Sequence, residues 1–181
     1  MSMSLNIRTV NDKDINEIID EPLKLELLHY GELLDPGQIE DDELLTELRN
    51  WNPSSEPMTF HLNAAFQSLH YLLTGETENK GQFPLNFLMC NKITIGEIGW
   101  GKANFYKSKD VSEIKESIRT IDFEGFKKRY DADFFNQSKI YPRGYVWREE
   151  DINGLWKTFN ELREFIYTAT DKGLGFYLTL V

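Results

Sequence analysis

The sequence predicts a single α+β domain in which helices pack on a small mixed sheet, with a three-layer α/β arrangement as the alternative. Two observations carry this prediction. Segments with helical periodicity outnumber those with strand character. The strand-like segments lie near the N-terminus, in the middle and at the C-terminus, so they must meet in one sheet. The length of 181 residues fits one domain. A chain of this size buries roughly 70% of its unfolded surface and needs neither disulfide nor metal to fold. An apolar content of 40%, with 13% aromatic, supplies an ordinary core.

The elements follow in order. "SLNIRTV" alternates Leu5, Ile7 and Thr9 against Asn6 and Arg8 and reads as an opening strand. Asn11 is placed to cap a short helix with Ile15, Ile18 and Ile19 on one face. Pro22 suits a first helical position, so "PLKLELLHYGELL" reads as a second helix. "DPGQ" breaks it, and "EDDELLTELRNW" is a third, with acids in the first turn where the helix dipole favours them. "NPSSEP" is a loop. In "NAAFQSLHYLLTGE", Phe66, Leu69, His70 and Leu73 share one helical face, with Asn63 as N-cap and Gly75 as terminator. "FPLNFLMC" reads as a short buried strand, and "IGEIGWGKANFYK" as a glycine-rich extended segment. Ser108 is expected to cap a helix through Val111, Ile114 and Ile118, and Asp122 and Asp131 to cap two short ones. The longest helix covers "EEDINGLWKTFNELREFIYTATDKG", with a stripe of Ile152, Leu155, Trp156, Phe159, Leu162 and Ile166 and a stop at Gly173. "GFYLTLV", apolar on both faces, reads as a central strand.

Charge is unevenly spread. The net charge is −10, and residues 1–50 hold thirteen acids against Arg8, Lys13, Lys24 and Arg49. Such a chain repels phosphate backbones, which argues against nucleic acid as partner. It also offers an acidic surface to a basic protein. No run of ~18 apolar residues exists, so no membrane span is expected. The opening "MSMSLNIRTVNDKD" lacks the pattern of a secretory signal, and a cytoplasmic location is the expectation. The lone Cys90 excludes an internal disulfide framework and a CxxC zinc site, and it is read as a small buried hydrophobe. As a nucleophile it would need a base, and only His29, His61 and His70 are present.

Chemical motifs are sparse. "GEIGWG" lacks the helix that must directly follow a phosphate-binding loop, so its glycines are read as relieving a bulge or admitting another backbone. Within "EDDE", only Glu40 and Glu43 share a helical face, which points to a solvated helix start and not to a metal site. No cofactor is implied. The residues that stand out as polar or aromatic for their surroundings are His70, Glu97 between two glycines, Trp100, Tyr141 before Pro142, and Trp147. These five are the candidate binding residues.

"LHYLLTG", "PLNFL", "GEIGWGKA", "IYP" with Trp147, and the closing "LREF…GLGFYLTL" occur in an order that resembles the YfbM-like family of bacterial proteins. The opening "NIRTVNDKDINEIID" is also similar to that family's start. The resemblance implies one domain over 1–181, with 35–60 a variable insert, and a compact fold without an assigned activity. An Asp-Lys pair and a tryptophan usual to the family are here Asn63, Ala64 and Phe66, while His70 and Thr74 match. The family's Gly-Tyr-Gly is here Gly99-Trp100-Gly101.

Two functions from different classes follow. The favoured one is a non-catalytic interaction domain of inhibitor or immunity type, whose acidic N-terminal third engages a basic protein. The alternative is a small enzyme or ligand-binding protein with a pocket near His70, Glu97, Trp100, Tyr141 and Trp147. His70 itself is read as a neutral core histidine, since burial disfavours its charged form, with a pocket-lining role as the other choice.

Overall fold

The structure, a computed structural model, describes residues 3–181. Its sheet has five strands in the order β2-β1-β5-β4-β3. The strands are β1 (Leu5–Val10), β2 (Thr59–His61), β3 (Ile93–Ile98), β4 (Gly101–Tyr106) and β5 (Gly175–Leu180). The helices are α1 (Asp12–Asp20), α2 (Lys24–Tyr30), α3 (Asp42–Asn50), α4 (Phe66–Thr74), α5 (Ser108–Ile118), α6 (Phe123–Lys127), α7 (Ala132–Gln137) and α8 (Asp151–Asp171). This is a single α+β domain.

The sheet is antiparallel throughout, not mixed. A lone crossover helix would carry the chain to the far end of the sheet and give a parallel neighbour. Between β4 and β5 the chain instead makes a helical hairpin. Lys115 pairs with Asp171 at 2.8 Å, while Arg163 donates to the Ile121 carbonyl at 3.3 Å, so α5 and α8 run antiparallel. The chain therefore re-enters the sheet where it left, with Tyr106 opposite Phe176.

Strand alternation sorts the core into two layers. Leu5, Ile7, Tyr106, Phe176 and Leu178 face α4, α5 and α8. Val10, Ala103, Phe105 and Tyr177 face the other way, against Ile15 and Ile18 of α1 and Leu25 and Leu28 of α2. Helices thus cover both sides of the sheet, the layering given above as the alternative. The central position of β5 matches its unbroken apolar character.

Several expected elements hold. The Asn11 side chain accepts from the Lys13 N–H, and Asp122 and Asp131 cap α6 and α7; α3 carries its acids in the first turn and is capped by Asp41. Gly75 terminates α4 in the left-handed conformation at φ 80°. Others are corrected. "FPLNFLMC" is not a strand but a series of tight turns, with Phe87 N–H on the Pro84 carbonyl and Cys90 N–H on that of Asn86. Its apolar side chains have somewhere else to go, since the Tyr106 hydroxyl donates toward the Phe87 and Cys90 carbonyls at 2.7 and 2.8 Å and holds the turns against β4. Cys90 is accordingly half-buried. Asn63 caps nothing; it opens a 3-10 turn at φ 47°. Ser108 is the first residue of α5, and its hydroxyl donates to Asp12 at 2.6 Å. Helix α2 stops at Gly31, and Ile19 is 44% exposed. The short edge strand β2 went unread because three residues carry no period.

The glycines of the β3–β4 hairpin act as expected. Register shifts between Ile95 and Ile98, and Gly96 and Gly99 take φ of 57° and 63°. A Cβ on Gly99 would overlap the Leu180 carbonyl oxygen, which accepts from the Trp100 N–H at 2.9 Å. Gly99→Ala is therefore expected to cost ~2 kcal/mol or more, combining left-handed strain with a backbone clash. Gly101→Ala, whose Cβ meets nothing within 4 Å, should stay within ~0.5 kcal/mol of the parent. Urea melts of the pair check this, and equal losses would overturn it.

Candidate functional site

The five residues singled out by the sequence fall in three environments. His70 is completely buried on α4. Its Nε2 lies 2.8 Å from the Glu78 carbonyl. A carbonyl only accepts, so Nε2 carries the proton and Nδ1, which has no partner, is the bare nitrogen. Burial lowers the His70 pKa from its ordinary 6.5, with the Glu78 hydrogen bond and the Glu76 charge opposing. The ring ties α4 to the 78–91 loop as a neutral group.

Tyr141 and Trp147 are nearly buried and bound into the same wall. The Tyr141 N–H donates to Gln67 Oε1 at 2.8 Å, its carbonyl accepts from Ser68 Oγ at 3.1 Å, and its hydroxyl accepts from the Met3 N–H. Trp147 donates its indole N–H to the Ile140 carbonyl at 3.2 Å and borders an open cleft with Ala64, Tyr145 and Leu155. Glu97 and Trp100 sit on the β3–β4 hairpin, exposed, Trp100 at 65%. The structure therefore brings Tyr141 to α4, which carries His70, and leaves Glu97 and Trp100 on the surface. Between these elements lies a cavity of about 390 Å³ edged by Phe66, Asn79, Leu88, Thr94, Lys102 and Asn104. Gly101, next to Trp100, lines it; none of the five does.

The acids of the first fifty residues divide into two sets. Five, buried or half-buried, act as internal fasteners. Asp12 accepts from the Ser108 N–H and hydroxyl, Asp14 from those of Ser54, Glu17 from the Trp51 indole at 2.6 Å, Glu21 from the Leu23 N–H and Glu26 from the Leu34 N–H. The Trp51 hydrogen bond is the main reason that the Glu17 carboxyl sits below its usual pKa. The other eight, Asp20, Glu32, Asp35, Glu40, Asp41, Asp42, Glu43 and Glu47, are exposed. Seven of them fall between residues 32 and 47, alongside Leu34, itself 59% exposed.

Behind these acids, and unmarked in the sequence reading, is a cleft of about 430 Å³ between β1, the end of α2 and the residues after α3. Arg8, His29 and Arg49 border it, with Tyr30, Trp51 and Pro57 among its walls. Arg8 stands opposite Tyr177 in the sheet and is half-buried because α2 covers that side of β1. Its Nη1 donates to the His29 carbonyl at 2.8 Å, while its buried Nε has no partner. Neither Arg8 nor Arg49 has a carboxylate within ion-pair distance among the described residues. Burial, and then the Arg8 charge, lower the pKa of His29, whose Nδ1 is 3.2 Å from the Tyr177 hydroxyl. Burial pushes the Tyr177 phenol up to about 12, with Arg8 opposing. The available signal is the polar side of β1, where Asn6 and Arg8 alternate with Leu5, Ile7 and Thr9, taken together with the three-layer alternative.

Comparison with known proteins places the chain. The family described as Domain of unknown function (DUF1877) matches residues 1–179, and the chain belongs to that family. A crystal structure of a protein of unknown function, YfbM from Escherichia coli, shares the fold with a TM-score of 0.68 at 13% identity, covering 98% of this chain and 99% of that one. No curated protein matches the chain. No helix among the described residues is long and apolar enough to cross a membrane.

The buried imidazoles set a pH dependence. The pKa values of His70 and His29 are depressed in the folded state. As pH falls below about 6.5, the unfolded chain takes up protons that the folded one refuses. Their contribution is thus full above pH ~6.5 and is lost progressively below it. His70→Ala should cost on the order of 2–3 kcal/mol at neutral pH by leaving a cavity and an orphaned carbonyl. His70→Gln should recover part of that and flatten the acid limb. Urea melts from pH 7.5 downward decide; an unchanged acid limb in His70→Gln would sink the assignment.

Proposed function

We propose that this member of the DUF1877 family is a non-catalytic interaction domain, of inhibitor or immunity type, that engages a basic protein through its acidic α2–α3 segment. The observation that carries the reading is the exposure of seven carboxylates between residues 32 and 47. Glu32, Glu40 and Glu43 make no side-chain hydrogen bond or ion pair recorded among the described residues, so they are free for a partner. The exposed Leu34 and Tyr30 add apolar contact beside them. Charge of this kind speeds encounter and selects the partner's sign more than it adds affinity. In this reading the protein works in the cytoplasm, binds no nucleic acid and carries no cofactor. The alternative, a ligand pocket among His70, Glu97, Trp100, Tyr141 and Trp147, draws less support, because three of the five are buried and committed to internal hydrogen bonds.

The test must spare Asp41, whose Oδ1 accepts from the Glu43 and Leu44 N–H groups and caps α3. The triple variant Glu32→Lys, Glu40→Lys, Glu43→Lys should leave stability within about 1 kcal/mol of the parent, as surface changes do. It should remove a basic protein captured by the parent from source-cell lysate. The parent's own capture should fade as salt rises, since exposed charges are screened beyond ~8–10 Å near physiological ionic strength. A captured partner indifferent to both salt and the charge reversal would refute the reading.

A further inference from the structure

We infer that the cleft between β1, α2 and the residues following α3 is a binding site for a small monocarboxylate with an apolar body. Its anion-binding groups, Arg8 and Arg49, are not those of the acidic segment, so it stands or falls apart from the interaction reading. The leading observation is a half-buried guanidinium without a counter-ion. Taking an unpaired charge out of water is costly, and proteins normally meet that cost with a partner of opposite sign. Arg8 has the His29 carbonyl and the neighbouring Tyr177 phenol, both neutral, and its Nε is sealed without an acceptor. The end of α2 supplies some negative potential through that carbonyl. It does not supply a charge.

Nearby acids make the gap more informative. Lys13 and Lys24, the other bases of the first fifty residues apart from Arg49, pair with Glu17 and Glu47 at 3.5 and 2.8 Å. Arg8 and Arg49, which both border the cleft, are the two left unpaired. An anion lodged between them neutralises one half-buried and one exposed guanidinium at once, and it faces His29, whose neutral ring offers hydrogen bonding without adding charge.

The ligand class follows from the walls and the surrounding field. Leu27, Tyr30, Trp51, Pro53 and Pro57 make about half of the lining apolar, beside the polar half that holds Arg8, His29 and Arg49, so the anion should carry a hydrophobic body. A guanidinium receives carboxylate and phosphate alike. Charge does not separate the two, since attraction to the arginines and repulsion from the exposed carboxylates of residues 32–47 both double for a dianion. A planar carboxylate is met by the guanidinium fork alone, whereas the further oxygens of a phosphate would face Leu27, Trp51 and the prolines, so the choice is a monocarboxylate.

The test titrates the intact protein with phenylacetate, inorganic phosphate and benzyl alcohol in turn, following the His29 ring and Trp51 indole signals by NMR. Phenylacetate should give saturable shifts at both, and benzyl alcohol and phosphate should bind more weakly. Arg49→Gln, a change at an exposed side chain, should weaken phenylacetate by about tenfold or more, as should Arg8→Gln. If Arg8→Gln fails to fold, Arg49→Gln decides alone. No saturation by phenylacetate on the order of tens of millimolar, a weak-binding range, would overturn the proposal. So would equal affinity in the arginine variants, phosphate binding as tightly as phenylacetate, or benzyl alcohol binding equally, which would leave an apolar hollow only.

Discussion

The organising constraint of this structure is β5. Phe176, Tyr177, Leu178 and Thr179 are all almost wholly buried in succession. Successive side chains in a strand point to opposite faces, so four buried in a row demand cover on both sides. One side receives the α5–α8 hairpin and α4, the other α1 and α2. Gly175 at its start admits the Tyr106 carbonyl of β4, and Gly99 of the hairpin admits the Leu180 carbonyl at its end, where a Cβ would not fit. The strand also fixes the direction of its neighbours. The α5–α8 connection returns the chain to the end of the sheet it left, so β4 runs against β5, and β1 pairs antiparallel with its other edge.

That requirement explains how an acid-rich opening can still pack. Residues 1–50 must provide the second layer over the sheet while carrying thirteen carboxylates. Six, with Asp41 at the start of α3, are spent as local acceptors for N–H and hydroxyl groups at helix starts and loop crossings. Charged acceptors make stronger hydrogen bonds than neutral ones, so each such contact fixes a joint between elements. The Asp12–Ser108 and Asp14–Ser54 contacts tie α1 to α5 and to the loop before β2. What remains of the charge is displaced outward onto α3 and the turn before it. A raw count of −9 thus overstates the surface charge, and the sequence alone does not separate fasteners from free acids.

Legibility followed periodicity. The stripe of α8, the caps at Asn11, Asp122 and Asp131, and the two-faced character of β5 were readable because each is a local pattern with one physical cause. "FPLNFLMC" misled because an apolar run of that length is equally compatible with a strand and with buried turns, and the deciding contact, the Tyr106 hydroxyl, comes from sixteen or more residues away. His70 was legible as a buried neutral ring from its helical face, though not its Glu78 partner. The Arg8 cleft was illegible for a related reason. Asn6 and Arg8 obey the alternation of a half-exposed strand, and only the descent of α2 across that face turns Arg8 inward. The five candidate residues were chosen for being unusual in sequence. The cleft is assembled from ordinary ones.

The two charge features differ in how salt acts on them. Attraction between an acidic segment and a basic protein involves exposed groups on both sides, so screening removes it with little compensation. An anion in the Arg8 cleft feels two opposed fields: attraction from Arg8 and Arg49 at short range, and repulsion from the carboxylates of residues 32–47 farther out. Screening grows with distance and is weaker for half-buried pairs, so added salt suppresses the repulsion before the attraction. Ligand binding in the cleft should therefore depend on ionic strength much less steeply than partner binding on the acidic face. The contrast follows from where the signs of charge lie: negative along α3 and the turn before it, and positive at Arg8, one layer in on the sheet, with Arg49 at the rim between them.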